Sequence, residues 1–228
     1  MPGTQMIDGS IVTGTPEEIL RSGQAHYVPI IIGSTAVDLP NISRPGSPTP
    51  IPISGDDAGA AHLYYSLPFL ARAALVLKGQ SRQRPASAGV DERGHDHAQA
   101  ARFVAREMTA QGQPAWLYRF TYTAESTRPD STQQAHAGEL PFMFDTLDAR
   151  YSDAVTDNDR QTARAFNTYV SNFVKTGNPN GGGLPMWQAF DGQYDLMDFS
   201  LENGPVYGRD PRAEGVGLVE RVADAQSQ

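Results

Sequence analysis

The sequence contains no cysteine among its 228 residues. This absence excludes a disulfide framework, a zinc site built from thiolates and a cysteine nucleophile. It does not fix the compartment, because proteins of oxidising compartments can lack cysteine too. Any nucleophilic or metal-binding chemistry must therefore rest on other side chains.

Positive charge is also scarce, with 18 Lys and Arg against 26 Asp and Glu and a formal net charge of -8. Nucleic acids and anionic membrane surfaces attract basic faces, so we expect neither as a partner. No apolar run approaches the roughly 20 residues that span a bilayer. Residues 1–5 show neither the charged nor the apolar region of a signal peptide.

Helical periodicity and β-branched runs alternate along the chain, an order typical of an α/β fold with a mostly parallel sheet flanked by helices. We interpret residues 1–228 as one domain, in which residues 39–95 form a loop and helical excursion. The pattern predicts a capped helix from Pro16, a buried strand over 27–33, an amphipathic helix ending at Gly112, a strand over 116–122, a helix over 157–175 and a final edge strand over 194–199.

Two candidate reactive side chains follow predicted strands. Asp38 lies on the loop after the first strand, and His136 lies on the loop after the strand at 116–122. In open α/β sheets, reactive groups sit on loops that leave the carboxyl ends of strands. Histidine is a natural base near neutral pH because its unperturbed pKa is ~6.5. Asp56 and Asp57 are the alternatives to Asp38 as the acid that orients it.

The segment 134–144, Gln-Ala-His-Ala-Gly-Glu-Leu-Pro-Phe-Met-Phe, resembles the H-G-x-E-[IL]-P-[YF]-x-F segment that carries the catalytic histidine of type B carboxylesterases. That family includes the para-nitrobenzyl esterases and cholinesterases. The resemblance extends over nearly the whole chain. Its further matches are Gly33–Asp38 at the acid segment, Trp116–Phe120 before the histidine, and Phe173–Asn180 with Leu184–Trp187 near the end. Asp38 replaces a commoner glutamate, and Leu39 stands where glycine is usual.

The resemblance implies the C-terminal part of an α/β-hydrolase fold. It implies a triad of serine, acid and histidine in which His136 is the base and Asp38 is the acid. It also implies that Glu139 holds the loop that carries His136, called the histidine loop below, rather than joining the triad. The implied substrates are small to medium carboxylic esters. No cofactor and no metal ion are needed for this chemistry.

A nucleophilic serine is missing from this pattern, because no G-x-S-x-G turn occurs in the sequence. The nearest string is Pro85-Ala86-Ser87-Ala88-Gly89. We reject Ser87 because Pro85 stands where the sharp turn needs glycine, and the polar run 80–84 precedes it instead of a strand. We therefore expect the chain to supply acid and base but not the serine. Its partner would be the missing N-terminal half of the fold.

The alternative is a degenerate, non-catalytic protein of the hydrolase fold that serves in binding or interaction. The absent serine favours this alternative, whereas the intact histidine loop disfavours it. A metal site is a further candidate, since Glu92, His95 and His97 form an E-x-x-H-x-H cluster. These three lie in a charged, glycine-containing connector, which favours a solvated surface. His62 and His26 have no supporting partners in the sequence.

Overall fold

The computed structural model describes residues 7–36, 94–129, 134, 136–200, 204–217 and 220. Its strands are β1 (Ile30–Thr35), β2 (Ala115–Phe120), β3 (Asp195–Ser200) and β4 (Gly204–Arg209). Its helices are α1 (Pro16–Arg21), α2 (Gly94–Ala110), α3 (Leu140–Met143), α4 (Leu147–Tyr151) and α5 (Asp157–Thr176). Two short 3-10 helices cover Glu125–Thr127 and Ser152–Ala154.

The strands form one mixed sheet in the order β1-β2-β3-β4. β1 and β3 each pair in parallel with β2, while β3 and β4 form an antiparallel pair. The prediction of an α/β fold with mostly parallel strands is thus confirmed. The prediction that 194–199 forms the edge strand is wrong, because β4 pairs along its outer side. Gly204, Pro205 and Gly208 disguise β4 in the sequence, since these residues are depleted from strands.

The predicted cap of α1 and the predicted glycines after α2 and α5 are confirmed, and α5 also begins with a capping box that was not predicted. Thr15 and Glu18 form a capping box at the start of α1. Thr156 and Asp159 form a second capping box at the start of α5, whose far end is closed by Gly177 at φ 74°. The chain leaves α2 through Gly112 at φ 75°. These positive φ values are accessible to glycine because it has no Cβ.

The two faces of the sheet carry separate hydrophobic cores. The face covered by α5 is aromatic: Phe120, Phe166 and Phe199 lie within 5.7 Å of one another by ring centroids. The opposite face packs Leu117 and Leu196 against the apolar side of α2. Both cores reach the half-buried isoleucines of β1. The sheet therefore lies between two helical layers, as a parallel sheet requires.

The Thr-Gly-Asn-Pro-Asn turn after α5 fixes the return of the chain to the sheet. The Asn180 side-chain oxygen accepts the backbone N–H of Trp187 at 2.7 Å, and its amide nitrogen donates to the Trp187 carbonyl at 2.8 Å. The fully buried Trp187 indole then donates to the Leu117 carbonyl on β2 at 3.0 Å. The turn thus places a tryptophan across the aromatic core.

Several predictions fall outside the described residues. These include the loop and helical excursion up to residue 93, with Asp38, Asp56, Asp57, His62, Ser87 and Glu92. The prediction that His95 and His97 lie in a connector before the helix is wrong, because both residues lie within α2. The helix begins at Gly94, whereas the apolar pattern that predicted it starts only at Ala101. The polar residues between these positions therefore hide the helix start in the sequence.

Candidate active site

The carboxyl ends of β1 and β2 lie side by side. In the parallel register Ser34 lies opposite Arg119, and Thr35 lies opposite Phe120. Ser34, Thr35 and the following Ala36 are all buried, so β1 leaves the sheet from a packed position. The chain that leads to Asp38 therefore leaves the sheet at the same end as the chain that leads from β2 to His136. Asp38 itself lies outside the described residues.

His136 is exposed in a turn between β2 and α3. Gln134, two residues earlier, is buried at 5% exposure, whereas the next residue after His136, Ala137, adopts a left-handed φ of 60°. The Leu140 N–H donates to the Ala137 carbonyl at 3.3 Å and closes the turn. The family segment has glycine at this position, and the left-handed φ explains that preference, because a Cβ is strained there.

Asp159 holds the chain between β2 and His136 against the start of α5. Its carboxylate, fully buried, accepts the Tyr122 hydroxyl at 2.9 Å and the Glu125 N–H at 3.1 Å through Oδ1. Its Oδ2 accepts the Thr156 N–H at 3.0 Å, and this contact belongs to the capping box. Burial, with the hydrogen bond to Asp159, raises the pKa of Tyr122 well above its usual range, so the phenol stays protonated as a donor.

The chain after His136 is held by the same helix. Phe142 in α3 is fully buried, and its ring lies 5.3 Å from that of Phe120 and 5.4 Å from that of Tyr122. The Asn167 amide on α5 donates to the Met143 carbonyl at 2.8 Å. Both stems of the histidine loop therefore rest on α5, while the imidazole-bearing residue between them is exposed.

Glu139 lies three residues after His136 and directly precedes α3. The residue is half-buried, and its Oε2 atom is buried. Its carbonyl accepts the N–H groups of Phe142 at 3.0 Å and Met143 at 2.9 Å. Glu139 therefore belongs to the packed base of the histidine loop rather than to its exposed tip.

A row of polar side chains crosses the α2 face of the sheet, near the carboxyl ends of β1 and β2. Ser34, Arg119 and Asp198 are successive partners across β1, β2 and β3. Arg119 contacts Asp198 at 3.2 Å, and Arg212, paired with Asp210 at 3.1 Å, donates to the Ser34 hydroxyl at 3.1 Å. Burial raises the pKa of Asp198, and the Arg119 charge opposes this shift. Nothing local in the sequence indicates this row, because its members are far apart along the chain.

No group of three His, Asp or Glu side chains among the described residues could hold a metal ion. His26 is exposed in the segment before β1.

None of the helices in the described ranges combines the length and apolar character needed to cross a membrane. An open cavity of about 680 Å³ lies beside α5, and Glu125, Arg128 and Arg164 are among its lining residues.

The chain belongs to the carboxylesterase family. The model of that family matches residues 95–214, more than half of the chain, and the match includes β2, the histidine loop and α5. The solved structure of a PNB esterase superposes with a TM-score of 0.63 at 23% identity, over 93% of this chain and 42% of that chain. The fold is accordingly that of the α/β-hydrolases.

Two relatives show how much of the family's length is represented. Human cocaine esterase is 33% identical over 113 residues, which are 50% of this chain and 19% of that protein. Mouse carboxylesterase 5A is 24% identical over 218 residues, which are 88% of this chain and 38% of that protein. The chain thus spans less than half the length of either relative.

Proposed function

We propose that this chain supplies the histidine and the acid of a serine-dependent carboxylester hydrolase, while the nucleophile comes from polypeptide beyond these residues. The observation that carries the proposal is the exposed His136 on a loop whose two stems are fixed to α5. The family membership supports an ester as the substrate. The carboxyl ends of β1 and β2 lie side by side, which supports the proposal that the acid comes from the segment after β1.

The chemistry follows from the assigned groups. A serine hydroxyl attacks the ester carbonyl carbon while the His136 imidazole takes its proton. The imidazolium then gives this proton to the leaving alcohol as the carbon–oxygen bond breaks, and an acyl-serine remains. Water, deprotonated by the same imidazole, attacks the acyl carbon and releases the carboxylic acid. Asp38 fixes the imidazole tautomer and stabilises its charged form.

The position of Glu139 supports a separate role. It is half-buried at the base of the loop, so we assign it to holding the loop that presents His136. Small to medium carboxylic esters are the proposed substrate class. The mechanism as assigned uses no cofactor.

The test is hydrolysis of p-nitrophenyl acetate by the complete 228-residue chain alone. We expect no turnover above the rate in buffer, because the sequence has no nucleophile elbow. Turnover that disappears in Ser87→Ala would overturn the assignment of the nucleophile to another polypeptide. Turnover that persists in His136→Ala would remove the role proposed for His136.

A further inference from the structure

The turn after α5 contains an asparagine–glycine pair, Asn180-Gly181. Such a pair is chemically labile, because glycine has no Cβ to shield its backbone nitrogen from the neighbouring carboxamide. The Gly181 nitrogen can attack the Asn180 Cγ, which closes a five-membered succinimide. The side-chain nitrogen leaves as ammonia and takes the proton of the attacking amide with it. Water then opens either carbonyl of the ring, so that aspartate or isoaspartate replaces the asparagine.

Hydrogen bonds hold the Asn180 carboxamide in the folded chain. Its Oδ1 accepts the Trp187 N–H at 2.7 Å, and its Nδ2 donates to the Trp187 carbonyl at 2.8 Å. The same Nδ2 donates to the Asn178 Oδ1 at 2.9 Å. These bonds fix the carboxamide plane, so Cγ cannot turn toward the Gly181 nitrogen until the contact with Trp187 opens. Attack therefore requires a local opening of the turn.

The glycines that follow Asn180 place little restraint on the turn itself. Gly181, Gly182 and Gly183 have φ values of 134°, 67° and 73°, and all three are exposed. Because glycine samples positive and negative φ about equally, this stretch can reach the conformation that ring closure needs once the side chain is released. The bonds to Trp187, rather than the backbone after Asn180, therefore control access to the reaction.

Loss of the carboxamide nitrogen would prevent the turn from closing again. In the aspartate product an oxygen takes the place of the Asn180 Nδ2, 2.8 Å from the Trp187 carbonyl oxygen and 2.9 Å from the Asn178 Oδ1. Neither contact then contains a hydrogen, so both become repulsive, and acceptors left without a donor cost stability. The isoaspartate product also adds one carbon to the backbone, which shifts residue 180 relative to Trp187.

Trp187 would carry this change into the aromatic core. Its indole is fully buried, donates to the Leu117 carbonyl on β2 at 3.0 Å, and lies 5.3 Å from the Tyr169 ring by centroids. Tyr169, on α5, donates its hydroxyl to the Pro185 carbonyl at 2.7 Å. The chain that ends at Trp187 therefore joins α5 to β2.

We propose that Asn180 is a deamidation site that its contact with Trp187 protects in the folded chain, and that conversion to a carboxylate irreversibly releases Trp187 from the core. The contact between these two residues is thus a one-way switch. Deamidation proceeds from the opened turn, and the product does not close again. This inference is independent of the proposed function, because it involves neither His136 nor the acid.

The first test is incubation of the complete chain at mildly alkaline pH with and without urea, followed by peptide mapping that locates aspartate and isoaspartate. Asn203 and Asn178 are internal references, since they precede glycine and proline respectively. In urea Asn180 and Asn203 are expected to convert at similar rates, whereas Asn178 stays intact because proline has no N–H for ring closure. Without urea, conversion of Asn180 is expected to be at least about tenfold slower, because opening precedes attack. Equal rates at Asn180 with and without urea, or no conversion in urea, would overturn the proposal.

The second test installs the product directly. Asn180→Asp removes the donor to the Trp187 carbonyl, and Asn178→Asp is the matched control, because it adds the same charge at an exposed position and keeps an oxygen acceptor. Hydrogen exchange at the Trp187 amide is expected to be at least about tenfold faster in Asn180→Asp and unchanged in Asn178→Asp. Equal exchange in the two variants would refute the release of Trp187. If Asn180→Asp does not fold, the same measurement on partly deamidated, unaltered chain decides the question.

Discussion

Removal of the Asp159 carboxylate should loosen the histidine loop and destabilise the fold. Asp159→Ala deletes the acceptor for three groups: the Tyr122 hydroxyl, the Glu125 N–H and the Thr156 N–H. Two of these belong to the stem that leads from β2 to His136, and the third belongs to the start of α5. The change therefore tests whether one buried carboxylate connects the helix with the loop.

The expected loss of stability is about 3 kcal/mol. A buried donor left without an acceptor costs roughly 1–3 kcal/mol, whereas the Thr156 side chain keeps its own capping bond to the residue-159 N–H. Tyr122 is only 3% exposed, so its hydroxyl regains little from solvent and should carry the larger share. Thr156 is half-buried and regains part of its bond from solvent. For a chain of this length the loss corresponds to a fall in Tm of about 6–12 °C.

Urea denaturation followed by tryptophan fluorescence measures this loss, because both Trp116 and Trp187 are buried. Hydrogen exchange at the Glu125 amide, which should become faster, gives a local measure. Asp157→Ala is the matched control, since Asp157 lies in the same helical turn but is exposed, and it should cost less than about 0.5 kcal/mol. A loss below about 0.5 kcal/mol in Asp159→Ala, with unchanged exchange, would refute the reasoning.

Five further substitutions, two of them for comparison, test other parts of the fold by urea denaturation. Gly33→Ala should cost about 2 kcal/mol, because its Cβ would overlap a β2 carbonyl oxygen, whereas Gly208→Ala meets open space and should cost little; equal effects would contradict the packing of β1. Ala137→Gly should gain roughly 0.5 kcal/mol, since the left-handed backbone strains alanine; a loss would contradict this. Burial raises the pKa of Asp198, so ionising it costs stability, and the unaltered chain should lose stability relative to Asp198→Asn as pH rises from about 4 through the raised pKa. Asp148→Asn should reveal the opposite slope below about pH 4, because a guanidinium hydrogen bond lowers the pKa of Asp148; a slope of the wrong sign in either comparison would refute the assignment of that residue.

The features predicted correctly from the sequence are those with local signals. The capping box at Thr15 and the closing glycines at 112 and 177 are short-range patterns, so the start of α1 and the ends of α2 and α5 could be predicted. The triple isoleucine similarly indicates a strand, although β1 spans Ile30–Thr35 rather than 27–33 and its isoleucines are half-buried. The role of His136 was predicted from the pattern of its loop rather than from any periodicity, and it stays a prediction.

The features that were missed depend on residues distant in the sequence. β4 is a strand because β3 pairs with it, although its glycines and proline argue against a strand. The role of Asp159 is hidden, because a capping aspartate at a helix start does not reveal the tyrosine 37 residues before it. The contact between Arg212 and Ser34 joins residues 178 positions apart. No local pattern could indicate either contact.

Labelling by a fluorophosphonate of a PNB esterase polypeptide that lacks the part overlapping this chain, in the presence of this chain, tests the role proposed for His136 most directly. A serine activated by a neighbouring imidazole reacts with such a phosphorus centre far faster than an ordinary hydroxyl does. We expect rapid labelling with the unaltered chain and with His26→Ala, whose exposed histidine lies before β1. Labelling should be at least about 100-fold slower with His136→Ala, as loss of a general base implies. Equally rapid labelling with His136→Ala would contradict the account.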